Sequence, residues 1–75
     1  MEKYKNLGGN SGIDSFHIAS DSITVQFNDG ATYLYNSFKP GKAYVEEMKE
    51  LAINGSGLNS LISREIRKNY FSKLS

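Results

Sequence analysis

Two tyrosines near the middle of this chain have the spacing of a base-stacking surface. Tyr33 and Tyr35 stand at i and i+2 of a predicted strand, so their rings must lie on the same face of a sheet. On an uncovered face, two adjacent rings form a surface on which unpaired nucleotide bases can stack. On a face covered by helices, the same rings belong to the core. The chemistry of the pair therefore depends on the side of the sheet that it occupies.

Cationic side chains are concentrated near the C-terminal end, although the net charge is only +1. On a helix that continues from residue 58, four side chains would share about a third of the circumference: Arg64, Arg67, Lys68 and Phe71. Such a basic face could neutralise phosphates. It could equally be a solvated helix exterior whose cations complement the helix dipole. Any anionic partner is expected to meet this segment.

The sequence offers little material for catalysis or for a metal site. His17 is the only histidine, no cysteine is present, and on a strand His17 and Asp14 point to opposite faces. The Gly55-Ser56-Gly57 stretch fits no phosphate-binding fingerprint and is expected to connect two helices. No nucleophile signature appears, and a chain of 75 residues has no room for an interior cleft. We expect a protein that is not an enzyme, with no cofactor, no metal and no small-molecule substrate.

The composition also indicates the cellular compartment in which the protein is expected. No stretch approaches the roughly 18 uninterrupted apolar residues of a membrane span, and the first residues lack the apolar run of a signal peptide. The absence of cysteine suits a reducing environment. The expected location is the cytoplasm, with no membrane partner.

The apolar pattern predicts strands first and helices afterwards. Residues 13–19, 23–27 and 31–37 have the composition or alternation of strands. Apolar stripes of helical period run through residues 41–53 and again through Leu58, Leu61, Ile62, Ile66 and Tyr70, with Gly55 suited to the left-handed cap between them. The predicted fold class is α+β, a three-stranded antiparallel β-meander followed by two α-helices packed on one face. Its core is expected to consist of Ile13, Phe16 or Ile18, Ile23, Val25, Phe27, Tyr44, Met48, Leu51, Leu61, Ile62 and Ile66. Residues 1–12 are expected to be a flexible leader, and residues 13–75 a single domain.

The turn at residues 28–30 leaves the face of the two tyrosines open. If residues 29–30 form a two-residue hairpin loop, Val25 opposes Leu34 and both rings lie on the polar side of the sheet. If residues 28–30 form a three-residue loop, the pairing moves by one residue. Val25 then opposes Tyr33, both rings join the core face, and Leu34 turns outward. The buried area favours the second pairing, whereas the Asp-Gly dipeptide favours the first.

Further residues stand in a fixed order around the Tyr33-Leu34-Tyr35 motif: Val25, Phe27, Gly30, Pro40, Ala43, Tyr44, Ala52, Gly57, Asn59, Ile66, Arg67 and Tyr70. Over residues 13–74 this order resembles the KTSC domain, a short module named from the C-terminus of some lysyl-tRNA synthetases and also found as stand-alone bacterial proteins. The chain departs from that family at Leu34, where a polar residue is common, and at residues 55–59, where an aromatic pair is expected. The resemblance implies a link to RNA, which has been suggested as the ligand of the domain.

The sequence thus predicts a non-enzymatic nucleic-acid accessory module, with RNA as the expected partner. In this hypothesis Arg64, Arg67 and Lys68 contact phosphates, and Tyr33 and Tyr35 stack on bases if they are exposed. The alternative is a protein-interaction or self-association module that uses the uncovered sheet face or an edge strand and has no nucleic-acid role.

Overall fold

A five-stranded antiparallel sheet carries the helices of this α+β fold in a computed structural model that describes residues 1–9 and 11–75. The strands follow one another in chain order across the sheet: β1 (Glu2–Lys3), β2 (Ile13–Ile18), β3 (Ser22–Phe27), β4 (Thr32–Asn36) and β5 (Ser72–Lys73). The helices lie between β4 and β5 in the chain: α1 (Lys42–Asn54) and α2 (Leu58–Leu61), the latter continued by a π-helical segment (Ile62–Ile66). None of the helices in these residues has the length and apolar character needed to cross a membrane.

The central meander β2-β3-β4 is confirmed, but the predicted sheet of three strands was incomplete. One strand of two residues extends the sheet at each edge, β1 beside β2 and β5 beside β4. Strands this short carry no alternating pattern, which explains why periodicity did not predict them.

The loop between β3 and β4 selects the pairing that buries the tyrosines. The Phe27 N–H donates to the Ala31 carbonyl at 2.8 Å, which closes a three-residue loop, and Gly30 has a φ of 90°. Val25 therefore pairs with Tyr33, and the ring of each tyrosine lies on the face that the helices cover. Leu34 pairs with Thr24 on the other face.

Helix α1 matches its predicted position to within one residue at each end. Val45, Met48 and Ala52 are buried against the sheet, as the period of about 3.6 residues requires. Gly55 ends the helix in the left-handed conformation, and its N–H donates to the Leu51 carbonyl at 2.9 Å. The predicted glycine cap is confirmed.

The prediction of a second helix that runs as far as Tyr70 is wrong. Helical structure ends at Ile66, and Arg67 follows with φ 55° and ψ −120°, so the chain reverses there. Arg67, Lys68 and Phe71 consequently do not share a helix face with Arg64. Tyr70 lies four residues after Ile66, a spacing that is typical of a helix. The structure instead returns Tyr70 to the core through this turn, so the spacing predicted a helical turn that does not exist.

The start of the chain, expected to be a flexible leader, instead supplies an edge strand and a core residue. Tyr4 is 3% exposed, and its hydroxyl accepts the N–H of Leu58 at 3.3 Å. The Leu7 N–H donates to the Gly55 carbonyl at 2.8 Å, which ties the same segment to the end of α1.

The core joins the inner face of the sheet to all the helical segments. Its buried members are Tyr4, Ile13, Phe16, Ile23, Val25, Tyr35, Val45, Met48, Ala52, Leu58, Leu61, Ile62 and Ile66. Phe27, Tyr44 and Leu51, expected in the core, are only partly buried and pack against it.

Candidate functional site

A groove opens between the β3–β4 loop and the turn that follows the π-helical segment. Its volume is about 480 Å³, and we call it the aromatic groove because four rings line it: Phe27, Tyr33, Tyr35 and Tyr70. Arg67 and Lys68 line it as well, together with Asn28 and Asp29 of the loop. A volume of this size falls in the range of about 300–1,000 Å³ that is usual for ligand pockets.

Tyr33 is at the centre of the ring cluster. Its ring centroid lies 4.6 Å from that of Tyr70 with the planes tilted by 45°, and 5.8 Å from that of Phe27 in an edge-to-face arrangement. Tyr70 also meets Tyr35 edge-to-face at 6.5 Å. These separations are typical of stabilising aromatic pairs, so the walls of the groove hold one another in place.

The two tyrosines of the Tyr-x-Tyr motif differ in exposure. Tyr35 is 1% exposed, whereas Tyr33 is half-buried. The condition for stacking a base, an accessible ring face, is therefore not met by Tyr35. Tyr33 retains part of its surface in the groove.

Burial also sets the protonation of Tyr35. Loss of solvent, with smaller contributions from Tyr33 and Tyr70, raises the pKa of its phenol to about 12. The phenol is accordingly neutral at physiological pH, so it adds no negative charge to the groove.

The predicted cations separate into two groups. Arg67 and Lys68 are exposed and line the groove, and in the described part of the chain neither forms an ion pair. Arg64 lies on the π-helical segment, where its Nε donates to the Ser60 hydroxyl at 3.0 Å, and it does not line the groove. Lys73 of β5 adds a third positive charge nearby, with its Nζ 5.9 Å from the centroid of the Tyr33 ring.

Sequence reasoning did not assign Phe27, Tyr70 or Asp29 to a site. Phe27 was expected in the core, Tyr70 on a helix stripe and Asp29 in a turn. One signal could have indicated the turn that brings Tyr70 to the groove: Arg67, Lys68 and Asn69 are the residue types that commonly follow or end a helix.

The remaining sequence features lie outside the aromatic groove. His17 is exposed on β2, and within residues 1–9 and 11–75 no three His, Cys, Asp or Glu side chains lie together in a way that could hold a metal ion. Gly55 and Gly57, both in the left-handed conformation, connect α1 to α2.

Comparisons of the chain with models of protein families, with curated proteins and with solved structures found no match. The resemblance to the KTSC domain therefore stays a prediction. The function has to be argued from the aromatic groove itself.

Proposed function

We propose that this chain is a non-enzymatic module that binds single-stranded RNA, with an unpaired base in the aromatic groove and the adjoining phosphates on Arg67 and Lys68. The single observation that carries the proposal is the presence of both exposed cations on the rim of a groove lined by four aromatic rings. The resemblance to the KTSC domain supports the same ligand class.

Aromatic and cationic groups have complementary tasks in such a site. Single-stranded nucleic acids are held by stacking of bases on aromatic side chains, worth roughly 1–3 kcal/mol per base, and by cations along the backbone. Tyr33 offers a half-buried ring that neighbouring rings keep fixed, so little side-chain entropy remains to be lost on stacking. The bases of a duplex could not enter the groove, because they are already stacked on one another.

The local charge favours an anion although the whole chain is nearly neutral. Arg67, Lys68 and Lys73 lie in or beside the groove, and among the described residues that line it Asp29 is the one acid. Each phosphate contact should add affinity that salt weakens, because counterions are released on binding.

The test is a titration of labelled single-stranded RNA at two salt concentrations. The double variant Arg67→Ala/Lys68→Ala should bind more weakly than the wild type. Its salt slope should fall by about 1.4 in log–log units, because each phosphate contact on a single strand contributes roughly 0.7. The matched control is Lys39→Ala/Lys42→Ala, which removes the same charge from exposed positions outside the groove. Absence of binding at low salt would contradict the function, and equal binding by the two double variants would contradict the site.

A second candidate is a protein-interaction module, and one observation favours it. Phe38 and Phe71 are 80% and 51% exposed, and their ring centroids lie 6.1 Å apart, which forms a small apolar patch outside the groove. Light scattering at high concentration distinguishes self-association from a monomer. A dimer that is lost in Phe38→Ser, while RNA fails to bind, would support this candidate over the first.

A further inference from the structure

We infer that the aromatic groove selects guanine, with Asp29 as the residue that determines the preference. This inference rests on the proposed function and adds the class of base that the groove accepts. It starts from a feature that phosphate binding does not explain: a carboxylate among the lining residues of a site whose other charged residues are cations.

Asp29 is held in a fixed position by the loop. Its Oδ1 accepts the backbone N–H of Ala31 at 3.0 Å, and the side chain is exposed. A carboxylate has about four acceptor positions on its two oxygens, so this bond leaves most of them available. Asp29 is one of the residues that line the groove, so the loop holds a carboxylate with free acceptor positions at this site.

The Asp29 carboxylate is not paired with the cations that line the same groove. Within residues 1–9 and 11–75, no ion pair links Asp29 to Arg67 or Lys68. Since an acid repels the phosphates of any nucleotide, its presence lowers affinity unless the base supplies hydrogen-bond donors. A ligand that combines a phosphate with adjacent N–H donors matches both charges of the groove.

Guanine is the standard base with that combination. Its Watson–Crick edge carries two neighbouring donors, N1–H and the N2 amino group, which a carboxylate can accept together. Adenine and cytosine place an unprotonated ring nitrogen beside their amino group, and uracil flanks its one N–H with two carbonyls. Each of these bases would place a hydrogen-bond acceptor next to a carboxylate oxygen, and the two acceptors repel each other. The preference for guanine then comes from this repulsion of the other bases as well as from the bidentate pair that guanine forms.

The experiment compares four RNA hexamers, namely hexauridylate and the three versions with one central G, A or C. The wild type should bind the G probe roughly 5- to 150-fold more tightly than the others, because a good bidentate pair discriminates by roughly 1–3 kcal/mol. Asp29→Asn should lose this preference, since the amide replaces one acceptor oxygen by a donor. The same variant should bind hexauridylate slightly more tightly because a negative charge is gone. Its amide oxygen can still accept the Ala31 N–H, so the loop is retained.

The matched control is Asp21→Asn, which makes the same change of charge at an exposed acid outside the groove and should leave the G preference intact. Asp29→Ser serves as a second variant that keeps a side-chain acceptor in the loop. Equal affinity of the wild type for all four probes would overturn the inference while the proposed function stands. A G preference that survives both Asp29 substitutions would overturn the role of Asp29. Failure of every probe to bind would overturn the inference and the proposed function together.

Discussion

Tyr35 shows how burial changes the chemistry of a single residue. In the other possible pairing of β3 with β4 this ring would lie on the polar face of the sheet, with its hydroxyl in water and available for hydrogen bonding. In the observed pairing, with Ile23 opposite, the residue is 1% exposed and lies beneath the helices. Burial raises the pKa of the phenol to about 12, from an ordinary value of 10.0.

This shift predicts a loss of stability in alkaline solution. Because the folded protein disfavours the phenolate, the stabilisation by the neutral phenol is complete below pH 10 and is lost as the pH rises towards about 12. A difference of about two pKa units corresponds to roughly 2–3 kcal/mol of unfolding free energy. Chemical denaturation at pH 8 and at pH 11 should show about half of this decrease, because pH 11 lies midway between the two pKa values.

Tyr35→Phe provides the control for that measurement. Phenylalanine fills nearly the same volume and cannot ionise, so the variant should lose less stability than the wild type between the two pH values. An identical decrease in the two proteins would assign the alkaline effect to other groups.

At the scale of the elements, a helix or strand was predicted correctly where its sequence pattern was long enough. Alternation over five residues predicted β3, strand-like composition predicted β2 and β4, and one apolar stripe with a glycine cap predicted α1. The two-residue strands β1 and β5 offered no pattern. The helix after Gly57 was predicted too long, because a spacing of four residues from Ile66 to Tyr70 fits a helix and a tight reversal equally well.

The candidate site was likewise predicted only in part. Tyr33, Arg67 and Lys68 were identified from residue type and spacing, and they do lie in one groove. The reason given for the cations was wrong, since it required a continuous helix. Asp29 could not have been assigned, because its position relative to the cations depends on the reversal at Arg67.

The N-terminal segment packs on the end of α1, and we therefore expect alanine to destabilise the fold more at Gly55 than at Gly30. Gly55 and Gly30 have φ values of 80° and 90°, so alanine is strained at both by about 1–2 kcal/mol. A Cβ at Gly55 would also lie 2.5 Å from the Cβ of Lys5, whereas a Cβ at Gly30 would meet nothing within 4 Å. Gly55→Ala should therefore lower the free energy of unfolding by a further 1–3 kcal/mol or so compared with Gly30→Ala.

Denaturant titration of the two variants measures the difference, and a third substitution identifies its cause. Lys5→Gly removes the clashing Cβ, so it should restore part of the stability lost in Gly55→Ala. Equal effects of the two alanine substitutions would mean that the N-terminal segment does not pack on the end of α1.

At the scale of the whole molecule, the N-terminal and C-terminal segments both contribute an edge strand and an aromatic side chain to the fold. The N-terminal segment contributes β1 and Tyr4, and the C-terminal segment contributes β5 and the Tyr70 ring beside Tyr33 and Tyr35. Each outer edge of the sheet is a strand of two residues, which offers few backbone groups to an added strand. This geometry weakens the edge-strand version of the protein-interaction hypothesis and leaves the exposed Phe38 and Phe71 pair as its support.

The small size of the domain makes the N-terminal contribution measurable. A chain of 75 residues buries only about 60% of the surface of its unfolded form, so its stability margin is expected to be small. Tyr4→Ala removes a ring that is 3% exposed and should lower the free energy of unfolding by about 3–5 kcal/mol, as large-to-small core substitutions of aromatic residues do. Tyr4→Phe, which removes only the hydroxyl that accepts the Leu58 N–H, should cost about 1 kcal/mol.

Leu7→Ala is the control within the same segment, because Leu7 is 69% exposed and its truncation leaves no cavity. We expect it to change stability by less than about 0.5 kcal/mol, the usual range for surface positions. Denaturant unfolding followed by circular dichroism measures all three variants. If Tyr4→Ala proved as mild as Leu7→Ala, this segment would behave as part of the flexible leader predicted for residues 1–12, and the ring of Tyr4 would contribute nothing to the core. A loss confined to the Tyr4 variants would show instead that the domain includes the N-terminal segment, because Tyr4 then stabilises the helix that begins at Leu58.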